Sequence, residues 1–341
     1  MKPVARPPGF PRGRPRRLRI SPGIREVVAE ARLDPSQLML PVFVDERIGE
    51  PRPIDHLPGH KYYPPRGPWL VEYVQEALEA GVRSFLIFGI PRVKDEHASR
   101  AWARDGPVQE ALRTIRRELG WEPVLATDLC ICGYHSSGHC GVPRECRRGV
   151  CIDNDSTLEI YRRIAVSQAE AGADIVAPSG MMDGQVAAIR EALEKEGYWD
   201  VAIMAYSAKY ASSLYGPFRG VMDSAPRFGD RSSYQLDPRN ARDALREVIM
   251  DAEEGADIIM VKPGLYYLDI VRLAREAVPF LPIAVYIVSG EYAMIELAAE
   301  HGLAPRDRLV LEALYSARRA GADIIITYHA LYAARLLGGR G

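Results

Sequence analysis

Outside residues 130–151 this chain of 341 residues has no cysteine, although it holds five. That confinement excludes a disulfide framework spread along the chain and leaves a local disulfide knot or a metal site. Net charge is nearly absent too: 44 Lys and Arg oppose 45 Asp and Glu, giving −1 and no global pull toward nucleic acid or anionic membrane. No apolar run approaches the roughly 20 residues of a spanning helix. The longest candidate, "AVPFLPIAVYIVSG" (277–290), is short and contains two prolines. The N-terminus "MKPVARPPGFPRGRPRRLR" lacks the apolar core of a signal peptide, and its prolines spoil the amphipathic helix of a transit peptide. A cytoplasmic protein is the expectation. In a reducing compartment, clustered thiols favour metal over disulfide.

One phrase recurs along the chain: "EALEAGVRSFLIFGIP", "QAEAGADIVAPSG", "DAEEGADIIMVKPG" and "SARRAGADIIITYH". Each reads as the end of an amphipathic helix, a terminating glycine and a short β-branched strand. "LMLPVFV", "EPVLATDLC", "DVAIMAYSAKY" and "LPIAVYIVSG" supply four more strands. Eight strands separated by helical patterns such as "TLEIYRRIAVSQAE" predict an α/β fold, a (β/α)8 TIM barrel. Two doubly wound domains are the alternative, but no linker and no Gly-rich dinucleotide fingerprint is present. The expected division is an N-terminal arm, 1–35, and a catalytic barrel, 36–341. The arm includes a helix over "SPGIREVVAEARL", with Ser21 as N-cap and Pro22 at its first position. Residues 214–237 form a connection long enough to be a lid, and Arg219, Arg227 and Arg231 equip it to grip an anion. From composition alone, a solvated surface loop fits equally well.

Barrel chemistry sits at the C-terminal ends of the strands. Those ends carry Asp128, Cys130 and Cys132 on strand three, Ser179 on four, Lys209 on five, Lys262 on six, Ser289 on seven and Tyr328 on eight. Alternation places Ile258, Met260 and Lys262 on one face, and likewise Val201, Ile203, Ala205, Ser207 and Lys209. A desolvated lysine beside a second cation loses its proton more readily and becomes a nucleophile toward a ketone. One such lysine alone is more simply an ion-pair partner or a snorkelling side chain. Two on consecutive strand ends tilt the balance to covalent chemistry. Cys130 and Cys132 point the same way as Asp128, and the turn "GYHSSGHCG" can return Cys140 beside them. Three thiolates leave a tetrahedral zinc one open position, as catalytic sites do. Cys146 and Cys151 either complete a closed site or pair as a disulfide, and His135 and His139 are further candidate ligands.

The stretches "AYSAKYASSLYGPFR" (205–219), "GADIIMVKPGLYYLDIV", "AVYIVSGEYAM", "APSGMMDGQVAAIR" and "GADIIITY" resemble, in order, the motifs of the porphobilinogen synthase (delta-aminolevulinate dehydratase) family, from about Arg16 onward. The resemblance implies a lyase of heme and other tetrapyrrole biosynthesis. It condenses two 5-aminolevulinate molecules to porphobilinogen with loss of two waters. Lys209 and Lys262 match the lysines that bind the A-side and P-side substrates as Schiff bases, and Asp128 stands with them in the catalytic set. Arg219, Arg231 and Gln235 match ligands of the A-side carboxylate, Ser289 and Tyr328 those of the P-side one. Phe218 helps close the site, and Ser179 is placed with the substrate-binding groups. Cys130, Cys132 and Cys140 match the catalytic zinc triad. Zinc-type members read "CEYTxHGHCG", from which this chain departs at Gly133, His135 and Ser137. Some relatives bind a second zinc through the histidine before the third cysteine and a distant thiol. Here His139 is kept but Ser233 replaces that thiol, so the second site should be absent or weaker. Glu247 aligns with a ligand of allosteric magnesium. Cys146 and Cys151 take no role from the family.

The arm, with seven Lys and Arg among its first nineteen residues, would alone suggest nucleic-acid binding. The resemblance instead implies subunit association, dimers building a homo-octamer. Two rival readings are a single-lysine Schiff-base aldolase on the same barrel and a metal- or nucleic-acid-binding module. Two rim lysines and the thiol triad weigh against the first, and near-neutral charge against the second.

Overall fold

The computed structural model describes residues 14–147 and 149–338. Residues 1–13, which carry the first part of the basic arm, lie outside the described residues. Eight parallel strands form a closed barrel: β1 Leu38–Asp45, β2 Ser84–Ile90, β3 Val124–Leu129, β4 Ile175–Pro178, β5 Ala202–Lys209, β6 Ile258–Lys262, β7 Ile283–Ile287 and β8 Ile324–Thr327. Neighbours pair in chain order and β8 closes on β1. The helices following the strands are α1 Pro68–Glu79, α2 Pro107–Leu119, α3 Asn154–Glu170, α4 Gln185–Lys195, α5 Ala241–Glu253, α6 Leu268–Ala277, α7 Arg306–Ala320 and α8 Ala330–Gly338. A further helix, Ser289–Glu300, precedes α7. All eight strand segments expected from the sequence are present, and the barrel is the architecture they build.

Two apolar layers hold it. The inner one is filled by Met39, Phe43, Leu86, Phe88, Met204, Tyr206, Met260 and Tyr286, and the outer one packs strands on helices through residues such as Leu40, Phe85, Ile203 and Val261. The repeated Gly-Ala-Asp phrase has a specific task. Asp174, at the entry to β4, accepts the Leu125 N–H of β3 at 2.7 Å and the Arg116 guanidinium of α2 at 2.5 Å. Asp257, before β6, does the same with Ile203 N at 2.7 Å and Arg190 of α4 at 2.5 Å. Asp323, before β8, takes Ile283 N at 3.0 Å and Arg275 of α6. Each carboxylate thereby clamps an even-numbered strand to the odd-numbered strand before it, with a charge-assisted bond from the helix that precedes that odd strand.

Two expectations are corrected. The face assigned to β5 is wrong in its first half: Ile203 and Ala205 belong to the outer layer, while Met204 and Tyr206 point into the barrel. The cause is a β-bulge. Ala205 pairs with Ile259 and Ala208 with Val261, three steps on β5 against two on β6. One extra residue flips the alternation, so Lys209 turns inward after all. The arm helix is also shorter than its pattern, Pro22–Val27, although Ser21 does cap it by accepting from Ile24 N at 3.3 Å. So short an element gains little from helical hydrogen bonds alone, and its residues bury no side chain. The chain divides into two compact units, Met1–Arg32 and Leu33–Gly341.

The segment 214–237 is folded rather than loose. A 3-10 turn, Ser213–Tyr215, leads into the helix Gly216–Met222. Its far end is pinned to β5, where Leu236 N donates to Lys209 O at 3.0 Å. After Cys140 a hairpin that the pattern did not indicate, Val142–Cys146 with Gly149–Asp153, carries Cys146 and Cys151 joined as a disulfide.

Candidate active site

At the mouth of the barrel Lys209 and Lys262 are direct partners across β5 and β6, and both are buried. Lys209 donates to the Ser179 carbonyl at the end of β4, 2.5 Å away. Lys262 lies in an aromatic cage, its Nζ 4.1 Å from the Tyr286 ring centre, 5.0 Å from Phe218, 5.1 Å from Tyr206 and 5.4 Å from Tyr215. Burial, aided by the charge of Lys209, pushes Lys262 down to about 7. Such an ammonium gives up its proton near neutrality. Asp128 completes the group: burial pushes its carboxyl up, against the pull of Lys209 and Lys262.

Tyr328 and Ser289 join the Lys262 cage through Tyr286 and Phe218. The phenol of Tyr328 shares a hydrogen bond with that of Tyr286 at 3.0 Å. Ser289 accepts the Phe218 N–H at 3.0 Å, which seats the Gly216–Met222 helix against the end of β7. The segment 214–237 carries Arg219, Arg231 and Gln235. Arg219 Nε, Arg231 Nε and both amide atoms of Gln235 are buried without a protein partner. Groups of that kind in a native fold call for a polar ligand, and two guanidinium groups with an amide suit a carboxylate. Arg231 also serves the fold, donating to Gly138 O at 3.0 Å and Ser224 O at 2.6 Å. Arg227 is exposed and takes no part through its side chain.

Cys130, Cys132 and Cys140 are all buried, with sulfurs within 4.8 Å of one another; among the described residues no other His, Cys, Asp or Glu set converges so closely. Cys130 and Cys132 lie just beyond β3 rather than on it. Burial pushes the Cys130 thiol well up, while hydrogen bonds from Cys130 and Cys132 pull Cys140 well down, so Cys140 is the sulfur of the trio that most readily carries charge. Burial opposes the charge of Arg231, but the Cys140 and Cys132 sulfurs outweigh it and hold the guanidinium above its ordinary value. Gly138, with φ of +72°, lets the thiol turn press on 214–237; a Cβ there would meet the Ala225 carbonyl. His139 is engaged at both nitrogens, to Tyr234 OH at 3.0 Å and Phe228 O at 2.9 Å, and Ser233 is exposed. His135 bonds Ser137 Oγ at 2.8 Å. Glu247 stands apart on α5, half-buried beside a cavity of about 670 Å³ lined also by Asp183 and Asp243. Burial and those two neighbours push its carboxyl up.

Sequence reasoning missed Tyr206, Tyr215, Tyr286 and Tyr234. Strand alternation marks Tyr286 as inward from Ala284, but the bulge hides Tyr206, and no periodic signal reaches the other two.

The family profile described as Delta-aminolevulinic acid dehydratase matches residues 12–336. A delta-aminolevulinic acid dehydratase of Archaeoglobus fulgidus is 51% identical over 320 residues, covering 94% of this chain and 96% of that relative. The dehydratase of Synechococcus elongatus is 48% identical over 328 residues, 96% of this chain and 99% of its own. The crystal structure of the Toxoplasma gondii enzyme, also called porphobilinogen synthase and solved with its product porphobilinogen, superposes with a TM-score of 0.91 at 42% identity. That match covers 95% of this chain and 91% of the other.

Proposed function

Since the chain belongs to the delta-aminolevulinic acid dehydratase family, a family of hydro-lyases, we propose that Lys209 and Lys262 each bind one 5-aminolevulinate as a Schiff base and that the barrel mouth joins the two into porphobilinogen. The observation that carries this is the buried, in-register pair of lysines. With Lys262 at about 7, an appreciable fraction is neutral amine at neutral pH. Its lone pair attacks the substrate ketone, water leaves, and the resulting imine withdraws electrons from the adjacent carbon. Imine formation at the two lysines releases two waters, and the carbon–carbon and carbon–nitrogen bonds formed between the substrates displace both lysine amines, which balances two 5-aminolevulinates against one porphobilinogen and two waters.

The remaining residues bind, orient and move protons. Asp128, whose carboxyl is raised by burial, can receive and return a proton at its carboxylate oxygen beside both amines. Ser179 holds Lys209 through its carbonyl. Arg219, Arg231 and Gln235 receive the carboxylate of the A-side substrate on Lys209; Ser289 and Tyr328 receive that of the P-side substrate on Lys262. Phe218 and the tyrosine cage exclude water from Lys262.

Three buried thiols fit zinc, a borderline-soft ion that takes sulfur ligands and keeps a fourth position free in catalytic sites. Cys130, Cys132 and Cys140 would hold it, and it would supply Lewis acidity next to the A-side substrate. A second zinc at His139 is disfavoured, because both its nitrogens are occupied and Ser233 is no soft ligand. Glu247 is assigned to magnesium, which keeps several waters and needs few protein ligands. The arm is assigned to subunit association in a homo-octamer of dimers, and the site of action to the cytoplasm; no helix among the described residues is long and apolar enough to cross a membrane.

Borohydride reduction in the presence of 5-aminolevulinate, followed by peptide mapping, tests the reading. Labelled peptides should contain both Lys209 and Lys262. Labelling of one lysine alone would favour the single-lysine aldolase.

A further inference from the structure

Behind Tyr328 lies a polar cluster that the condensation does not use. His329, the next residue, is 2% exposed, and its Nε2 donates to Glu296 Oε1 at 2.6 Å. The same carboxylate oxygen accepts Arg306 Nε at 2.9 Å. The His329 ring lies on Tyr292 with centres 4.4 Å apart, and Tyr292 meets the Tyr328 ring edge-on at 5.6 Å. His60 packs edge-on against both tyrosines, 5.5 Å from each.

Burial of an imidazole costs solvation, and a surface Glu–Arg pair alone gains little. The placement of His329 therefore asks for a local reason. Burial outweighs Glu296 and holds His329 below its ordinary value, so the ring is neutral at neutral pH, with its one proton on Nε2 toward Glu296. A neutral ring in a fixed tautomer acts as a strut rather than an acid. The two segments it joins matter most. Glu296 rides on the helix that begins at Ser289, and His329 follows Tyr328 at the end of β8.

We propose that Glu296 and His329 are positioning residues that fix the spacing of Ser289 and Tyr328, and thereby the fit of the P-side substrate's carboxylate. The inference rests on assigning Ser289 and Tyr328 to that carboxylate.

Steady-state kinetics with 5-aminolevulinate and inhibition by levulinate, a 4-oxo acid without the amine, test it in the intact enzyme. His329→Phe keeps a ring against Tyr292 but has no N–H; Glu296→Leu removes the acceptor. Each should raise KM and the levulinate inhibition constant about fivefold, the loss of one buried hydrogen bond, with kcat within about twofold. His329→Gln and Glu296→Gln, which retain a donor and an acceptor, should recover most of the affinity. Tyr328→Phe is measured alongside. If it raises KM while His329→Phe and Glu296→Leu do not, the positioning role is overturned and the carboxylate assignment stands. If Tyr328→Phe also leaves KM unchanged, the carboxylate assignment fails and the inference with it. Loss of thermal stability with no recovery of KM in the glutamine variants would mark the pair as merely structural and overturn it equally.

Discussion

Lys209 sits directly opposite Lys262 on the neighbouring strand because β5 carries one residue more than β6 between Ala205 and Ala208. Strict alternation from Met204 and Tyr206 would have sent the Lys209 side chain into the helix layer. Burial does most to depress Lys262, and the arrival of Lys209 beside it adds to that, which equips the pair for covalent chemistry.

Lys262→Ala should abolish porphobilinogen formation, since alanine cannot form an imine, while circular dichroism stays that of the parent. Borohydride should then trap substrate at Lys209 only. Appreciable turnover in a folded Lys262→Ala protein would end the two-imine reading.

The depressed Lys262 sets a pH dependence. Below about 7 the protonated amine is no nucleophile, so kcat/KM should fall about tenfold per pH unit on the acid side and level off above. The sign follows from the direction of the shift: a lysine at its ordinary value would keep activity rising to pH 10. A rate profile between pH 5.5 and 9, in saturating zinc, distinguishes the two.

Arg231→Ala should raise the substrate concentration needed by roughly ten- to a hundredfold, the value of a charged hydrogen bond to a carboxylate. It should also loosen 214–237, because Arg231 ties that segment to Gly138 and braces it internally through Ser224. Faster proteolysis within the segment, together with the higher KM, is the expected pair of readouts. An unchanged KM would show that this segment does not close over substrate.

One tightly held zinc per subunit is expected from the thiol trio, with activity lost to chelator and restored by zinc. Secondary structure should persist throughout, because the two apolar layers of the barrel do not involve the metal site. Elemental analysis of the protein and of Cys132→Ser decides the matter. Full activity in metal-free protein would exclude a catalytic zinc.

Asp174→Ala should lower stability by about 1–3 kcal/mol, since it strands the Leu125 N–H and takes from Arg116 its carboxylate partner, leaving it only backbone carbonyls. Its position at the entry to β4 is remote from the mouth, so kcat of the folded fraction should hold. A melting temperature equal to the parent's would deny the clamp its role.

The barrel was legible because its signals are local and repeated: a glycine ends most of the helices, and a β-branched run follows. Lys262 was legible for the same reason, since β6 alternates without interruption. Lys209 was found on the correct face by an incorrect count, because a bulge leaves no mark in a single sequence. The tyrosine cage and the Glu296–His329 pair depend on contacts between segments far apart in the chain, which composition and spacing do not encode. The arm helix was overestimated because an amphipathic pattern does not reveal whether a partner surface is present to stabilise it.

The aspartate clamps give the barrel a grain. Because Asp174, Asp257 and Asp323 each bind an even strand to the odd strand before it, the wall from β3 to β8 is a series of three riveted pairs rather than six equivalent staves. Lys209 and Lys262 belong to one such pair, β5 and β6, riveted at its base by Asp257. The distance between the two amines is thus set inside the smallest mechanical unit of the wall. Any opening between neighbouring pairs would leave that distance as it is.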